Sequence, residues 1–206
     1  MDQTALIQSA QLGNIEAFNQ LILLHQDRIF ATAVYMLDNE DCAADALQNA
    51  LVQAYHNIAH FRGGSFSAWM LRILKNVCYD ELRRQKRHIC LPLEPLSEGE
   101  EEFDSPLWLT DPTQNPAGQF EDQELTHAIQ SSLQALAPEY RLTLILIDID
   151  GMDYNEAAAA MGVPMGTVKS RLARARLKMR KKLRCYSDLL PEVYTRGSLP
   201  AFSFAG

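Results

Sequence analysis

The segment DYNEAAAAMGVPMGTVKSRLARAR, residues 153–176, decides the fold class because it predicts two helices joined by a tight turn. Asp153, followed three residues later by Glu156, is typical of a helix start, where side-chain oxygens accept hydrogen bonds from free backbone amides. Gly162 ends this helix, since glycine tolerates the positive φ that a helix C-terminus often requires. A second helix starts near Gly166, so the segment predicts a helix-turn-helix.

The second of these helices is strongly basic. The basic residues between positions 169 and 184 are Lys169, Arg171, Arg174, Arg176, Lys178, Arg180, Lys181, Lys182 and Arg184. Apolar residues recur at helical spacing and are expected to face the core: Val168, Leu172, Ala175 and Met179. A solvated basic face is the alternative, but the coupling to a glycine turn favours a helix that enters the major groove. The positions expected to face bases are Lys169, Ser170, Ala173 and Arg174, and those expected to face phosphates are Thr167, Arg171 and Arg176.

Amphipathic helices are predicted along the rest of the chain. Apolar residues recur three or four apart over 15–37, 41–60 and 67–86, and again over 125–149. No alternating apolar and polar pattern competes with this spacing. The chain is therefore expected to be all-α.

Polar residues and glycines predict where some of these helices begin and end. Asn39 or Asp38 can cap the helix that starts near residue 41. The glycine pair within residues 62–65 favours a turn, because glycine has the highest conformational freedom. The second and third helices are therefore expected to be separate.

Composition divides the chain into four parts. Residues 91–121 hold eight acidic side chains, no basic one and several prolines, so they cannot bury enough apolar surface to offset their ordering entropy. This linker separates a helical domain at 1–90 from a second one at 122–184, and residues 185–206 form a C-terminal extension. The predicted fold is two small helical domains joined by an acidic flexible linker.

Two polar patches in the first domain are not explained by core packing. Asp45 and Gln48, followed by Asn49, lie three residues apart on one face of a predicted helix, where they form either a polar docking strip or ordinary solvated surface. A second stretch, from Phe66 to Arg87, interleaves aromatic residues with basic and amide side chains. Aromatic stacking combined with phosphate contacts is a common way to hold single-stranded nucleic acid.

These motifs, in this order, resemble the extracytoplasmic-function group of the sigma-70 family, bacterial sigma factors reduced to their second and fourth domains. The resemblance covers about residues 14–87 and 122–184. The family stretch Phe-x-x-Trp-x-x-Arg-Ile-x-x-Asn-x-x-x-Asp-x-x-Arg-Arg is matched by Phe66, Trp69, Arg72, Ile73, Asn76, Asp80, Arg83 and Arg84. The segment Gly166-Thr167-Val168-Lys169-Ser170-Arg171 looks like the family's recognition helix for the −35 promoter element.

The resemblance implies a transcription initiation factor without catalytic activity. Asp45, Gln48 and Asn49 would bind the clamp helices of the largest RNA polymerase subunit, and Asn49 stands where the family commonly has an acid. Further implied partners are the polymerase flap, promoter DNA and an anti-sigma factor. The implied −10 contacts are Arg62, Gly63, Gly64, Ser65, Phe66, Trp69, Arg72, Asn76, Arg83 and Arg84. The implied −35 contacts are Gly166, Thr167, Lys169, Ser170, Arg171, Ala173, Arg174 and Arg176.

The resemblance also implies a mechanism for promoter opening. A flipped base of the −10 element would enter a pocket formed by residues 62–66, with Asn76 nearby, because base identity is fully accessible only outside the stack. Strand separation would be driven by binding energy. The chain has no glycine-rich loop ending in Lys-Ser or Lys-Thr, so we expect no nucleotide hydrolysis.

Composition bounds the remaining possibilities. No apolar run approaches the ~20 residues that cross a bilayer, and the N-terminus lacks an export signal, so a cytoplasmic protein is expected. The four cysteines form no C-x-x-C pair, which fits reduced thiols. We expect neither a metal nor a cofactor.

Three other functions fit the sequence less well than a sigma factor does. A helix-turn-helix regulator of the response-regulator type would need an α/β receiver domain, and residues 1–90 predict no strands. A helical adaptor that binds only proteins would leave the basic helix unexplained. An enzyme is disfavoured because no nucleophile–base pair or metal triad is recognisable.

Overall fold

Every regular element in the described part of the chain is helical. The structure is a computed structural model that describes residues 3–89 and 118–184, with side chains described at 3–87 and 126–184. The α-helices are α1 (Gln3–Gln11), α2 (Ile15–Leu23), α3 (Gln26–Leu37), α4 (Glu40–Asn57), α5 (Phe66–Ile89), α6 (Gly118–Gln134), α7 (Pro138–Leu144), α8 (Tyr154–Met161) and α9 (Met165–Leu183). A 3-10 turn, Ile58–His60, extends α4, and a π-helical turn, Ile145–Ile149, extends α7. The all-α prediction is confirmed.

Side-chain caps explain where several helices begin. The Oδ1 atom of Asn39 accepts a hydrogen bond from the Cys42 amide at 2.8 Å, which confirms one of the two predicted caps of α4. Asp38 instead ends α3 in the left-handed conformation, with φ of 56°. The Oδ1 atom of Asp153 accepts from the amides of Asn155 and Glu156 at 2.7 and 2.9 Å, as its position before α8 predicts.

One predicted helix is two helices in the structure. The periodic stretch 15–37 breaks at Leu24 and His25, because His25 leaves helical geometry with φ of −129° and ψ of −1°. Leu23 and Leu24 are exposed at this break. The apolar spacing continues across it, and neither glycine nor proline marks the position, so periodicity alone predicts a continuous helix.

Small residues let the helices of the first half approach closely. α4 buries four alanines, Ala43, Ala46, Ala50 and Ala54, each at most 3% exposed, against α3 and α5. The larger core side chains around them include Leu21, Ile29, Met36, Met70 and Leu74. α4 and α5 therefore pack side by side, with the outer faces of both exposed.

The second half has its own core beneath α9. Apolar residues of α6, α7, α9 and the connection between α6 and α7 form one cluster: Ile129, Leu133, Leu136, Leu144, Leu172, Ala175, Met179 and Leu183. α8 lies apart from this cluster and contributes its buried residues to the larger core of the first half. The helix-turn-helix therefore connects the two halves.

The two halves contact each other in the structure. α8 packs across α5, and a single apolar cluster contains Met70 and Leu74 as well as Ala157 and Met161. The sequence predicts two domains joined by a flexible linker and does not predict this contact, which arises between residues far apart in sequence. α6 begins at Gly118, inside the predicted linker, while residues 91–117 and the extension 185–206 lie outside the described residues.

Candidate nucleic-acid interface

Helix α9, the predicted recognition helix, presents the predicted face to solvent. Val168, Leu172, Ala175 and Met179 are at most 3% exposed, so they form the core side of the helix. The predicted base-facing residues are all exposed: Lys169, Ser170, Ala173 and Arg174. Thr167, Arg171 and Arg176 are half-buried at the edges of this face.

The turn before α9 is set by the glycine that the sequence singles out. Gly162 has φ of 68° and ends α8, with its amide donating to the carbonyl oxygen of Ala158. The Thr167 amide donates to the Pro164 carbonyl oxygen at 2.9 Å, which starts α9 without a side-chain cap. Met165 and Gly166, at the start of α9, are exposed to solvent.

Arg176 differs from its predicted role, because its guanidinium is engaged within the protein. Nε and Nη2 lie 3.0 and 2.6 Å from the two carboxylate oxygens of Asp148. This side-chain hydrogen bonding raises the pKa of Arg176. The phosphate contact predicted for Arg176 would compete with this pair.

The loop between α4 and α5, where the −10 surface is predicted, is exposed to solvent. The residues Arg62, Gly63, Gly64 and Ser65 are all exposed, and the two glycines have φ of 95° and 90°. Trp69 is half-buried, whereas Arg72 and Asn76 further along α5 are exposed. The exposed loop and the exposed residues Arg72 and Asn76 therefore adjoin the half-buried Trp69.

Phe66 is the exception on this surface, because it is buried. Its ring is 2% exposed and lies 6.0 Å from Phe61, 5.5 Å from Trp69 and 5.6 Å from His25, between ring centroids. The prediction that Phe66 contacts DNA is therefore corrected for this conformation. The ring instead supports the loop from beneath.

Arg83 and Arg84 lie far from the loop. They follow Ser67 by about 25 Å along the axis of α5, at 1.5 Å per residue. Arg83 pairs with Asp80 at 2.9 Å and Arg84 with Glu81 at 2.9 Å. The structure therefore does not bring these two arginines together with the rest of the predicted −10 residues.

The predicted polymerase strip borders a groove between α4 and α5. Asp45, Gln48 and Asn49 are exposed on α4. The groove is lined by Cys42, Asp45, Ala46, Asn49, Gln53, Val77, Asp80, Glu81, Arg84 and Arg87. The α5 side of this groove is not predictable from the sequence, because only the packing of two helices brings it next to α4.

Basic residues of both halves meet where α5 faces the helix-turn-helix. Lys75 donates from Nζ to the carbonyl oxygen of Met161 at 2.9 Å, and the Arg72 side chain lies beside Gly162. Burial, together with the charges of Arg72 and Arg171, lowers the pKa of Lys75. The two predicted nucleic-acid surfaces are therefore contiguous in this conformation.

The described residues contain neither a metal site nor a membrane span. Within 3–87 and 126–184, no three His, Cys, Asp or Glu side chains are grouped as ligands for a metal ion. Across the helices of the described ranges, none has the length and apolarity that crossing a membrane requires.

Two family profiles match the halves that carry these surfaces. The profile described as "Sigma-70 region 2" matches residues 21–88, which include the α4 strip and nearly all of α5. The profile described as "Sigma-70, region 4" matches residues 126–179, which include the helix-turn-helix. The order of the matches is the order that the sequence motifs predict.

Similar proteins carry one family name. The ECF RNA polymerase sigma factor SigE of Mycolicibacterium smegmatis is 31% identical over 172 residues, covering 84% of this chain and 63% of that protein, so this chain spans less than two thirds of SigE. The ECF RNA polymerase sigma factor SigW of Bacillus subtilis is 31% identical over 179 residues, covering 86% of this chain and 95% of SigW. The solved sigma factor RpoE in complex with the anti-sigma factor NepR, from Bartonella quintana, has a TM-score of 0.59 and 27% identity, covering 81% of this chain and 96% of that chain. This chain therefore belongs to the ECF sigma factors of the sigma-70 family.

Proposed function

We propose that this chain is an alternative sigma factor that binds core RNA polymerase, recognises −35 and −10 promoter elements and promotes DNA melting. The observation that carries the proposal is the outward face of α9, where Lys169, Ser170, Ala173 and Arg174 are exposed opposite a buried apolar stripe. Family membership supports it, since the curated relatives are named RNA polymerase sigma factors.

The −35 element is contacted as duplex. The N-terminal half of α9 enters the major groove, where Lys169 and Arg174 donate to base acceptors and Ser170 bonds a base edge. Thr167 and Arg171 at the edges of the face contact phosphates. Recognition there needs no strand separation.

The −10 element is captured as single strand. The exposed loop 62–65 and the neighbouring Trp69, Arg72 and Asn76 provide a stacking ring, a cation and an amide. A flipped base held there makes the open strand more stable than the paired one, so binding energy drives melting. The chain then needs no catalytic activity of its own, and it acts in the cytoplasm beside the chromosome.

Core polymerase docks on the α4 strip. Asp45, Gln48 and Asn49 present one carboxylate and two amides on an exposed face. Polar groups of this kind bind a basic or amide-rich helix surface of the largest subunit. An anti-sigma factor is a further partner, and the relative RpoE solved in complex with NepR supports this expectation.

The test is run-off transcription with bacterial core polymerase and a pooled promoter library, with and without the full chain. New start sites that share two spaced motifs are the expected result, and they define the promoter sequence. Binding to core without new start sites, or no binding to core at all, would contradict the proposal and favour a regulator that acts outside polymerase.

Matched variants assign the surfaces. Replacing both Asp45 and Gln48 by alanine is expected to weaken core binding at least tenfold, about 1.4 kcal/mol, by removing two central polar contacts. Asp27→Ala is the control, because Asp27 is also exposed but lies on α3 outside the strip. Equal core affinity for both proteins would remove the strip from the interface.

A further inference from the structure

One forked ion pair ties the recognition helix to the segment that follows α7. Nε and Nη2 of Arg176 lie 3.0 and 2.6 Å from the two oxygens of Asp148. The Asp148 side chain is 7% exposed and that of Arg176 is 42% exposed. The pair thus has a buried carboxylate and a guanidinium at the edge of the DNA-facing surface.

The energies favour retention of this pair when DNA is bound. Moving Arg176 to a phosphate would leave the Asp148 carboxylate, whose side chain is 7% exposed, without that partner. Leaving a buried carboxylate unpaired costs more free energy than one hydrogen bond to a solvated phosphate returns. Exchange of the carboxylate for a phosphate is therefore unfavourable.

The π-helical turn directs Asp148 toward α9. The Asp150 amide donates to the Ile145 carbonyl oxygen at 2.8 Å, five residues back, so the turn is wider than an α-turn. Asp150 then faces α3, where its carboxylate lies 3.3 Å from Thr32 Oγ1 and 3.4 Å from Arg28 Nε. Asp148 therefore contacts α9, whereas Asp150 contacts α3.

The ion pair lies close to the base-facing residues of α9, whose positions depend on the rotation of that helix about its axis. Arg176 follows the exposed residues Ala173 and Arg174 by less than one turn, and it adjoins the buried Ala175. A rotation of about 20° moves a side-chain end about 2 Å at the 5–6 Å radius of a helix, which is enough to break a hydrogen bond to a base.

We propose that Arg176 is a positioning residue of the recognition helix, which it orients through Asp148, and that it makes no phosphate contact. This inference rests on the proposed function, because it concerns the same −35 surface. It reassigns Arg176 while leaving Arg171 and Arg174 as DNA contacts.

The test uses holoenzyme reconstituted from core polymerase and the full chain. Its DNA is a duplex with a −35 element selected in the run-off experiment and no −10 element, next to a duplex with that element scrambled. Affinity for both is measured over a salt series for Arg176→Met, Asp148→Asn and the double variant. Arg171→Met is the matched control for a phosphate contact, and Arg174→Ala for a base contact.

We expect Arg176→Met and Asp148→Asn to lower the ratio of specific to scrambled affinity about tenfold, with the double variant no worse than either single one. Their slope of log affinity against log salt stays at the wild-type value. Arg171→Met instead reduces the magnitude of that slope by about 0.9, as expected for one lost phosphate contact.

Three results would overturn the inference. A slope reduced by about 0.9 in Arg176→Met, with no effect of Asp148→Asn, would identify a phosphate contact. If Arg176→Met and Asp148→Asn each lost as much affinity for the scrambled duplex as for the specific one, the pair would have a role in folding alone. Unchanged binding in all the variants, Arg171→Met and Arg174→Ala included, would refute the −35 surface itself. That result would contradict the proposed function, whereas the first two results contradict only the role of Arg176.

Discussion

The guanidinium group of Arg141 on α7 donates a hydrogen bond to the main-chain carbonyl oxygen of Met36, in the last turn of α3, 105 residues away in sequence. The same group donates to the carbonyl oxygens of Leu133, Gln134 and Leu136 at the end of α6. The last carbonyls of a helix have no partner within it, and a cation is favourable at that end. Arg141 therefore satisfies two helix ends, one in each half of the chain.

Replacing Arg141 by methionine is expected to lower the free energy of unfolding by roughly 3 kcal/mol, because several buried carbonyls lose their donor. For a chain of this length that corresponds to a fall in Tm of about 6–12 °C. Thermal unfolding followed by circular dichroism measures it. Burial lowers the pKa of Arg141 to about 10, which still leaves it charged at neutral pH.

The control for that variant is Arg83→Met, since the Arg83 side chain is 70% exposed and its ion pair with Asp80 is solvated. Exposed pairs contribute about 0–1 kcal/mol, so Tm is expected to change little. A similar fall in Tm for both variants would show that the buried hydrogen bonds of Arg141 stabilise the fold no more than the exposed ion pair of Arg83 does.

Local features of the fold were predictable from the sequence, and distant ones were not. The caps at Asn39 and Asp153, the end of α8 at Gly162 and the outward face of α9 each depend on residues within about one helical turn, where spacing is informative. The contact of Arg141 with Met36 depends on how separate helices pack, which periodicity does not encode.

The candidate site was predictable to a similar extent. The loop 62–65 and the strip at Asp45 are exposed as expected, because turns and polar helix faces are local properties. Residue type and position in a motif predict DNA contacts for Phe66 and Arg176. Their partners, an aromatic cluster and a buried carboxylate, come from other elements and are visible only in three dimensions.

Phe66 is expected to contribute to stability more than to sequence recognition. Phe66→Ala removes a ring that is 2% exposed, and truncating a buried phenylalanine typically costs about 3–5 kcal/mol through lost burial and the cavity left behind. Urea denaturation of the full chain measures this loss. Leu12→Ala is the control, because Leu12 is 90% exposed and should change stability by less than about 0.5 kcal/mol. A loss below about 1 kcal/mol for Phe66→Ala would mean that the ring is not in the core.

The contact between Asp150 and α3 predicts a pH dependence of stability. Burial raises the pKa of the Asp150 carboxyl, and the neighbouring Arg28 and Thr32 offset this only in part. The folded chain therefore binds this proton more tightly than the unfolded chain. From the ordinary carboxyl pKa of about 3.9 up to the raised value, the native state holds more protons, so this group's contribution to stability falls as pH rises.

Asp150→Asn is expected to remove that contribution and make the slope of unfolding free energy against pH more positive, by at most about 1.4 kcal/mol per pH unit. Urea denaturation at several pH values above about 4 measures the slope. Asp27→Asn is the reference, because it removes the same single negative charge from an exposed position on α3 and leaves Asp150 unchanged. The same slope in Asp150→Asn as in this reference would rule out the proposed origin.

Two glycines of the helix-turn-helix are expected to respond to alanine with opposite signs. Gly162 has φ of 68°, and a Cβ there would lie 3.4 Å from Arg72 Nε, whereas a Cβ at Gly166 has nothing within 4 Å. Gly162→Ala is expected to lower the free energy of unfolding by about 1–2 kcal/mol, because an L-residue is strained in the left-handed region. Gly166→Ala is expected to raise it by about 0.5 kcal/mol, since alanine favours a helix over glycine. Paired urea denaturation curves of the two variants measure the difference. A Gly162→Ala variant as stable as the wild type, or more stable, would mean that Gly162 does not need its left-handed conformation.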